Sequence, residues 1–157
     1  MTSHTATTEI IKTPYYDFHV AAGGKMVPFA GFIMPVQYEG ITAEHLAVRN
    51  NVGLFDLSHM GEFEVSGPQA LEFLQKTTVN NVSKMEVGSC QYNCMCMPDG
   101  GIVDDLLVYR LPTRFMLVVN ASNIEKDFRW LHKQTSGFNV RLLDKSSETS
   151  LLAIQGP

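Results

Sequence analysis

Two short boxes, "SGPQ" at residues 66–69 and "SNIE" at residues 122–125, each stand directly after a β-type run and directly before an amphipathic one. In an S-x-x-Q/E box the Ser oxygen accepts from a backbone N–H inside the new helix, and the Gln or Glu reaches back. Each box therefore predicts a strand-to-helix turn, the first after the alternating "EFEVS" and the second after "FMLVVN". The first helix has Pro68 in its first turn and Ala70, Leu71 and Leu74 on one face; the second stacks Ile124, Phe128 and Leu131 at i, i+4 and i+7. Between them, residues 89–97, the turn "PDGG", residues 102–110, the turn "LPTR" and "FMLVVN" read as antiparallel strands with tight connections, and "FNVRLLD" closes as another. The order β-α-β-β-β-α-β over roughly residues 61–144 predicts an α+β unit, a ferredoxin-like antiparallel sheet with one extra strand, because each helix returns the chain to the same face.

The flanks are less regular. Residues 1–12 are polar and Thr-rich and read as a flexible N-terminus. "GGKMVPFAGFIMPVQYEG" has the Gly, Pro and aromatic density of a packed irregular lead-in with short strands, and Thr42 is placed to cap a helix "AEHLAVRNNVG" that ends at Gly53. At the other end "TSLLAIQGP" is an apolar strand running into Gly156 and Pro157, a turn towards further structure, so the chain is expected to be the front of something longer.

With 45% hydrophobic and 18% charged residues the chain belongs with globular proteins. A net charge of -4 with no run of Lys or Arg argues against nucleic acid or an anionic membrane as the partner. No apolar run approaches the roughly 18 residues of a membrane span, and "MTSHTATTEIIK" has neither a signal core nor the arginines of a transit peptide, so the cytoplasm is the expected location. Cys90, Cys94 and Cys96 crowd one predicted strand, too close for a disulfide framework. C-x3-C-x-C closes no tetrahedral metal site, so these are expected to be buried, inert, reduced thiols, with no metal bound.

The segment with most chemical interest is "GGIVDDLLVY". Strand alternation puts Ile102, Asp104, Leu106 and Val108 on one face and Val103, Asp105, Leu107 and Tyr109 on the other, so neither carboxylate escapes an apolar face. Read from the residues alone, the pair is either a hairpin flank making Asx turns or a functional site.

"GLFDLSHMGE" together with "GGIVDDL", "FMLVVNASNIEKD" and "LLAIQGP" resembles the glycine cleavage system T-proteins, the tetrahydrofolate-dependent aminomethyltransferases, from about Thr13 to Pro157. The resemblance implies that residues 13–57 form the first segment of a split folate-binding domain. It further implies that residues 58–144 form an inserted ferredoxin-like domain, that residues 145–157 begin the return segment, and that a C-terminal barrel is absent. It implies tetrahydrofolate as co-substrate, the lipoylated H-protein as donor, and the P- and L-proteins of glycine cleavage as further components. Carried over residue by residue, it makes Asp104 the catalytic, folate-holding carboxylate and Met60, Tyr92 and Asn120 folate contacts, leaving Asp105 and His59 structural. Phe32 stands where these proteins commonly have Trp, and Met97 where a polar residue often precedes the Gly-Gly turn. Two alternatives remain: a folate-dependent demethylase of the same superfamily, and a non-catalytic folate-binding module.

Overall fold

A computed structural model describes residues 10–157, so nine of the residues read as a flexible terminus lie outside it. The elements run β1 (Ile11–Lys12), α1 (Tyr16–Ala21), β2 (Met26–Phe29), β3 (Phe32–Pro35), α2 (Ile41–Asn50), β4 (Gly53–Asp56), β5 (Gly61–Ser66) and α3 (Ala70–Thr77). They continue with β6 (Cys90–Cys96), β7 (Ile102–Arg110), β8 (Phe115–Val119), α4 (Ile124–Gln134), β9 (Arg141–Asp144) and β10 (Leu152–Gln155). These pack as two compact units, one running to His59 and resuming at Ser150–Pro157, the other spanning Met60–Thr149. Among the described residues no helix is long and apolar enough to cross a membrane.

In the first unit β2 and β3 form a hairpin joined by Ala30 and Gly31, both with positive φ, the twist that a two-residue turn between right-twisted strands requires. The short β1 adds parallel to β3, and β4 pairs antiparallel with β10 across nearly a hundred residues of sequence. α1 went unread in the sequence because six residues are too few to show a period. The expected Thr42 cap is absent: Thr42 lies inside α2, whose N-cap is Gly40. The free N–H groups of Tyr38 and Gly40 instead donate to the Glu44 side chain at 2.7 and 2.9 Å. α2 stops at Asn50 because Gly53 already belongs to β4.

A buried polar knot organises this unit. His19 Nε2 meets Asp56 Oδ2 at 2.9 Å, His19 Nδ1 meets the Tyr38 hydroxyl at 2.7 Å, Thr13 donates to Asp56 at 2.6 Å, and the Ser58 N–H donates at 2.9 Å. Burial alone would push the Asp56 carboxyl up, but these donors outweigh it and hold it below its ordinary value.

The second unit is the expected α+β sheet. Its strand order β6-β7-β8-β5-β9, antiparallel throughout, is the ferredoxin order with β6 added at an edge. Both helices contribute to a core of Phe63, Val65, Phe73, Leu74, Leu106, Val108, Phe115, Leu117, Val119 and Leu131. Each such side chain gives about 1.5–3 kcal/mol on leaving water. Gly61 admits α4 to the sheet, since a Cβ there would meet Ile124 at 2.6 Å and Val119 at 2.8 Å.

Neither box caps its helix. Ser66 stays in β5 opposite Arg141, Gly67 turns the chain at φ 111, and α3 starts only at Ala70. Gln69 spends its amide oxygen on the Asn139 N–H at 2.6 Å. α4 starts at Ile124 after a single 3-10 turn, with no side-chain cap.

Glu62 of β5 is 1% exposed, its carboxyl oxygens have no hydrogen-bond partner among the described residues, and it lines a cavity of about 230 Å³ with Arg114 and Lys145. Burial, then the Asp144 charge, pushes it up from 4.5 to about 7. Because the folded value is the higher one, Glu62 costs nothing below about pH 4.5, and its cost grows as pH rises to about 7. Glu62→Gln is therefore expected to be more stable than the parent by ~1–3 kcal/mol at pH 8, with the gap closing towards pH 5 in urea unfolding. A gap independent of pH would contradict this.

Candidate active site

β6 and β7 pair in register from Cys90 opposite Tyr109 to Met95 opposite Asp104, and then jump to Cys96 opposite Ile102. Val103 is the extra residue of this bulge, and a bulge resets which way the following side chains point. Asp104, Leu106 and Val108 are buried on the face covered by the helices, whereas Asp105, Leu107 and Tyr109 are half-buried on the opposite face. Ile102, expected beside Asp104, is 73% exposed because the bulge lies between them.

Asp104 is thus held from the helix side. Its Oδ1 accepts from the Asp105 N–H at 3.0 Å and from Asn120 Nδ2 at 3.1 Å, and its Oδ2 accepts from Asn123 Nδ2 at 2.7 Å. Lys126 Nζ, which donates to the Val103 carbonyl at 2.7 Å, stands 3.9 Å from Oδ2. Burial would raise this carboxyl, but hydrogen bonds to Asp127, Asn123, Asn120 and the Asp105 N–H overcome it and keep Asp104 below its ordinary value, ionised at neutral pH.

Asp105 faces the other way and has different company. The Tyr92 hydroxyl donates to its Oδ2 at 3.0 Å, and Asn120 Nδ2 reaches its Oδ1 at 3.1 Å. Tyr92 is 64% exposed, and the hydrogen bond to Asp105, together with that carboxylate's charge, lifts its phenol above the ordinary value. One amide, Asn120, therefore bridges both carboxylates at the end of β8.

Of the expected site residues, Tyr92, Asp104 and Asn120 come together in one hydrogen-bonded cluster. Met60 is half-buried, one residue before Gly61, and the pairing of Gly61 with Val119 puts it at the same end of the sheet as Asn120. The sequence reading missed Asn123, Lys126 and Asp127. A signal for Asp127 existed: it falls at i+3 from Ile124 and i−4 from Leu131, a carboxyl inside an apolar helical stripe.

The thiols differ from expectation in burial: all three are free, but Cys90 is exposed and Cys94 and Cys96 are half-buried, their sulfurs 3.9 Å apart. Side chains alternate across β6, so positions 90, 94 and 96 fall on the face that the helices leave bare. His59 is buried against the edges of Phe29 and Phe32, and burial pulls its ring below its ordinary value, as suits a neutral packing residue. A cavity of about 550 Å³ in the first unit is lined by His19, Tyr38, Ile41, Leu54, Phe55 and Asp56, and none of the expected site residues borders it.

Because Asn120 serves two carboxylates, Asn120→Ala leaves both short of a donor and is expected to cost about 1–3 kcal/mol in urea unfolding. Tyr92→Phe, which removes one solvent-exposed hydrogen bond, is expected to cost less than Asn120→Ala. The reverse order would break the account of Asn120 as the bridge.

The profile of the family described as GCVT N-terminal domain matches residues 15–157. An aminomethyltransferase of Chlorobaculum parvum is 56% identical over 148 residues, covering 93% of this chain and 40% of the relative. One of Desulforamulus reducens is 54% identical over 151 residues, covering 95% and 41%. The crystal structure of the glycine cleavage system aminomethyltransferase T of Bartonella henselae superposes with a TM-score of 0.88 at 41% identity, over 94% of this chain and 41% of that one. The chain thus spans about two fifths of the length of these relatives. Matched over nearly all of its length in sequence and in fold, it belongs to the GCVT N-terminal domain family.

Proposed function

We propose that this chain is the folate-binding front part of a glycine cleavage aminomethyltransferase, acting in the cytoplasm. The observation that carries the reading is the Tyr92–Asp105–Asn120–Asp104 cluster on a sheet whose relatives are named aminomethyltransferases. In this reading the donor is the aminomethyl-lipoyl arm of the H-protein, and the P- and L-proteins are the other components. Tetrahydrofolate is the acceptor and no metal takes part. The unit to His59 and Ser150–Pro157 are the two segments of a split folate-binding domain, with Met60–Thr149 inserted between them.

A reduced pteridine nitrogen attacks the methylene held on the lipoyl arm and the carbon's bond to ammonia breaks; the second folate nitrogen then displaces the lipoyl sulfur, whose C–S bond breaks to leave the dihydrolipoyl thiol and methylenetetrahydrofolate. Both reacting groups arrive on carriers, so the protein supplies orientation and electrostatics. A fixed carboxylate serves here because positive charge develops as the carbon changes hands, and an ion already held by donors need not reorganise. In this reading the two aspartates divide the work differently from the sequence expectation. Asp105, half-buried beside the exposed Tyr92 on the face free of helices, is the carboxylate that a pteridine reaches. Asp104, 8% exposed and held from the helix side, fixes it through Asn120. Tyr92 and the Asn120 amide supply polar edges for the heterocycle, and Met60 an apolar wall.

The test is ammonia release from aminomethylated H-protein with tetrahydrofolate. Asp105→Asn is expected to lower kcat/KM by about 10²–10³-fold, the loss typical of one preorganised electrostatic partner, and Asp104→Asn by less. Full activity in Asp105→Asn would remove the proposed division, and full activity in both variants would remove the mechanism.

A further inference from the structure

Asp127 is 0% exposed on α4, and among the described residues no donor lies within hydrogen-bond distance of either oxygen. Lys126 on its own helix comes within 3.6 Å of Oδ1, yet its hydrogen bond goes to the Val103 carbonyl. The same Lys126 Nζ lies 3.9 Å from Asp104 Oδ2, and Asn123, one helical turn before Asp127, donates to that oxygen at 2.7 Å, so the Asp104 carboxyl on β7 is brought against Asp127, while Asp105 lies beyond Asn120. Two carboxylates offer only acceptors, so their contact holds together only with a proton in it. The donors decide where that proton resides. Asp104 already accepts from Asn123, Asn120 and the Asp105 N–H, which favours charge there, and Asp127 accepts from none.

We propose that Asp127 is a positioning residue that holds a proton and donates it as a hydrogen bond to Asp104, bracing through Asn120 the opposite face that carries Asp105 and Tyr92. Its effect on ligand binding rests on the proposed function above, but its protonation does not. Burial, then the hydrogen bond to Asp104 and that carboxylate's charge, push Asp127 up to about 7, with Lys126 pulling the other way. The brace is thus intact below neutrality. Above it the donor is lost and two like charges face each other in a dry place.

The experiment follows the γ-carboxyl resonances of the protein labelled with [γ-13C]aspartate across pH, a label that leaves Glu62 silent. One aspartate is expected to titrate near pH 7. That transition should vanish in Asp127→Asn, whose amide keeps a donor towards Asp104, and should move down by about one unit or more in Asp104→Asn, where the like charge is gone. A parent with no aspartate titrating near neutrality, or a transition that survives in Asp127→Asn, overturns the proposal, and the parent decides the matter even if a variant fails to fold. Tetrahydrofolate affinity supplies the second readout. It should weaken about tenfold in the parent as pH rises through 7, stay flat in Asp127→Asn, and be weak throughout in Asp127→Ala. A parent-like pH dependence in Asp127→Asn refutes the bracing role. A neutral-pH aspartate in a protein that binds no folate keeps the proton assignment and sinks the folate reading instead.

Discussion

Two adjacent aspartates in one strand cannot point the same way, and the site follows from that constraint. Their carboxylates leave on opposite faces of the sheet, and each must find donors or neutralise. Asn120, at the end of the neighbouring strand, reaches both. Asn123 and the start of α4 then serve Asp104 from behind, while Tyr92 on the edge strand serves Asp105 from in front. The bulge at Val103 interrupts the pairing just before the aspartates and releases Ile102 to solvent, while Asp104 keeps the inward parity of Leu106 and Val108.

How much of this was legible depended on the range of the interaction. The β-α-β-β-β-α-β order was readable because alternation and helical stripes are local and because the turns "PDGG" and "LPTR" carry their own chemistry. The helix starts were not. A Ser three residues before Gln or Glu matches the capping pattern, yet at Ser66 the pairing with Arg141 keeps the residue in its strand. At residue 123 a side chain beside the helix start goes to Asp104 instead of the helix. The β4–β10 ladder joins residues nearly a hundred apart, and no local pattern announces it.

The site was half legible for the same reason. Motif likeness pointed to Asp104, Met60, Tyr92 and Asn120, and alternation separated the two carboxylates, but which of the two faces the helices cover is decided by packing that no local pattern carries. Asp127 shows the opposite case. Its position in the apolar stripe of α4 is written in the sequence as an inconsistency, and such inconsistencies are where buried, coupled groups belong. The first unit repeats the lesson with His19 and Asp56, whose pairing across thirty-seven positions settles an otherwise irregular segment.

The measurement closest to the central claim is a crystal structure of the protein with tetrahydrofolate bound. The account expects the reduced pteridine on the sheet face opposite the helices, hydrogen-bonded to Asp105 and bordered by Tyr92 and Asn120, with Asp104 still facing α4. A pteridine bound in the cavity around His19 and Asp56 instead, with Tyr92 and Asp105 untouched, would contradict it.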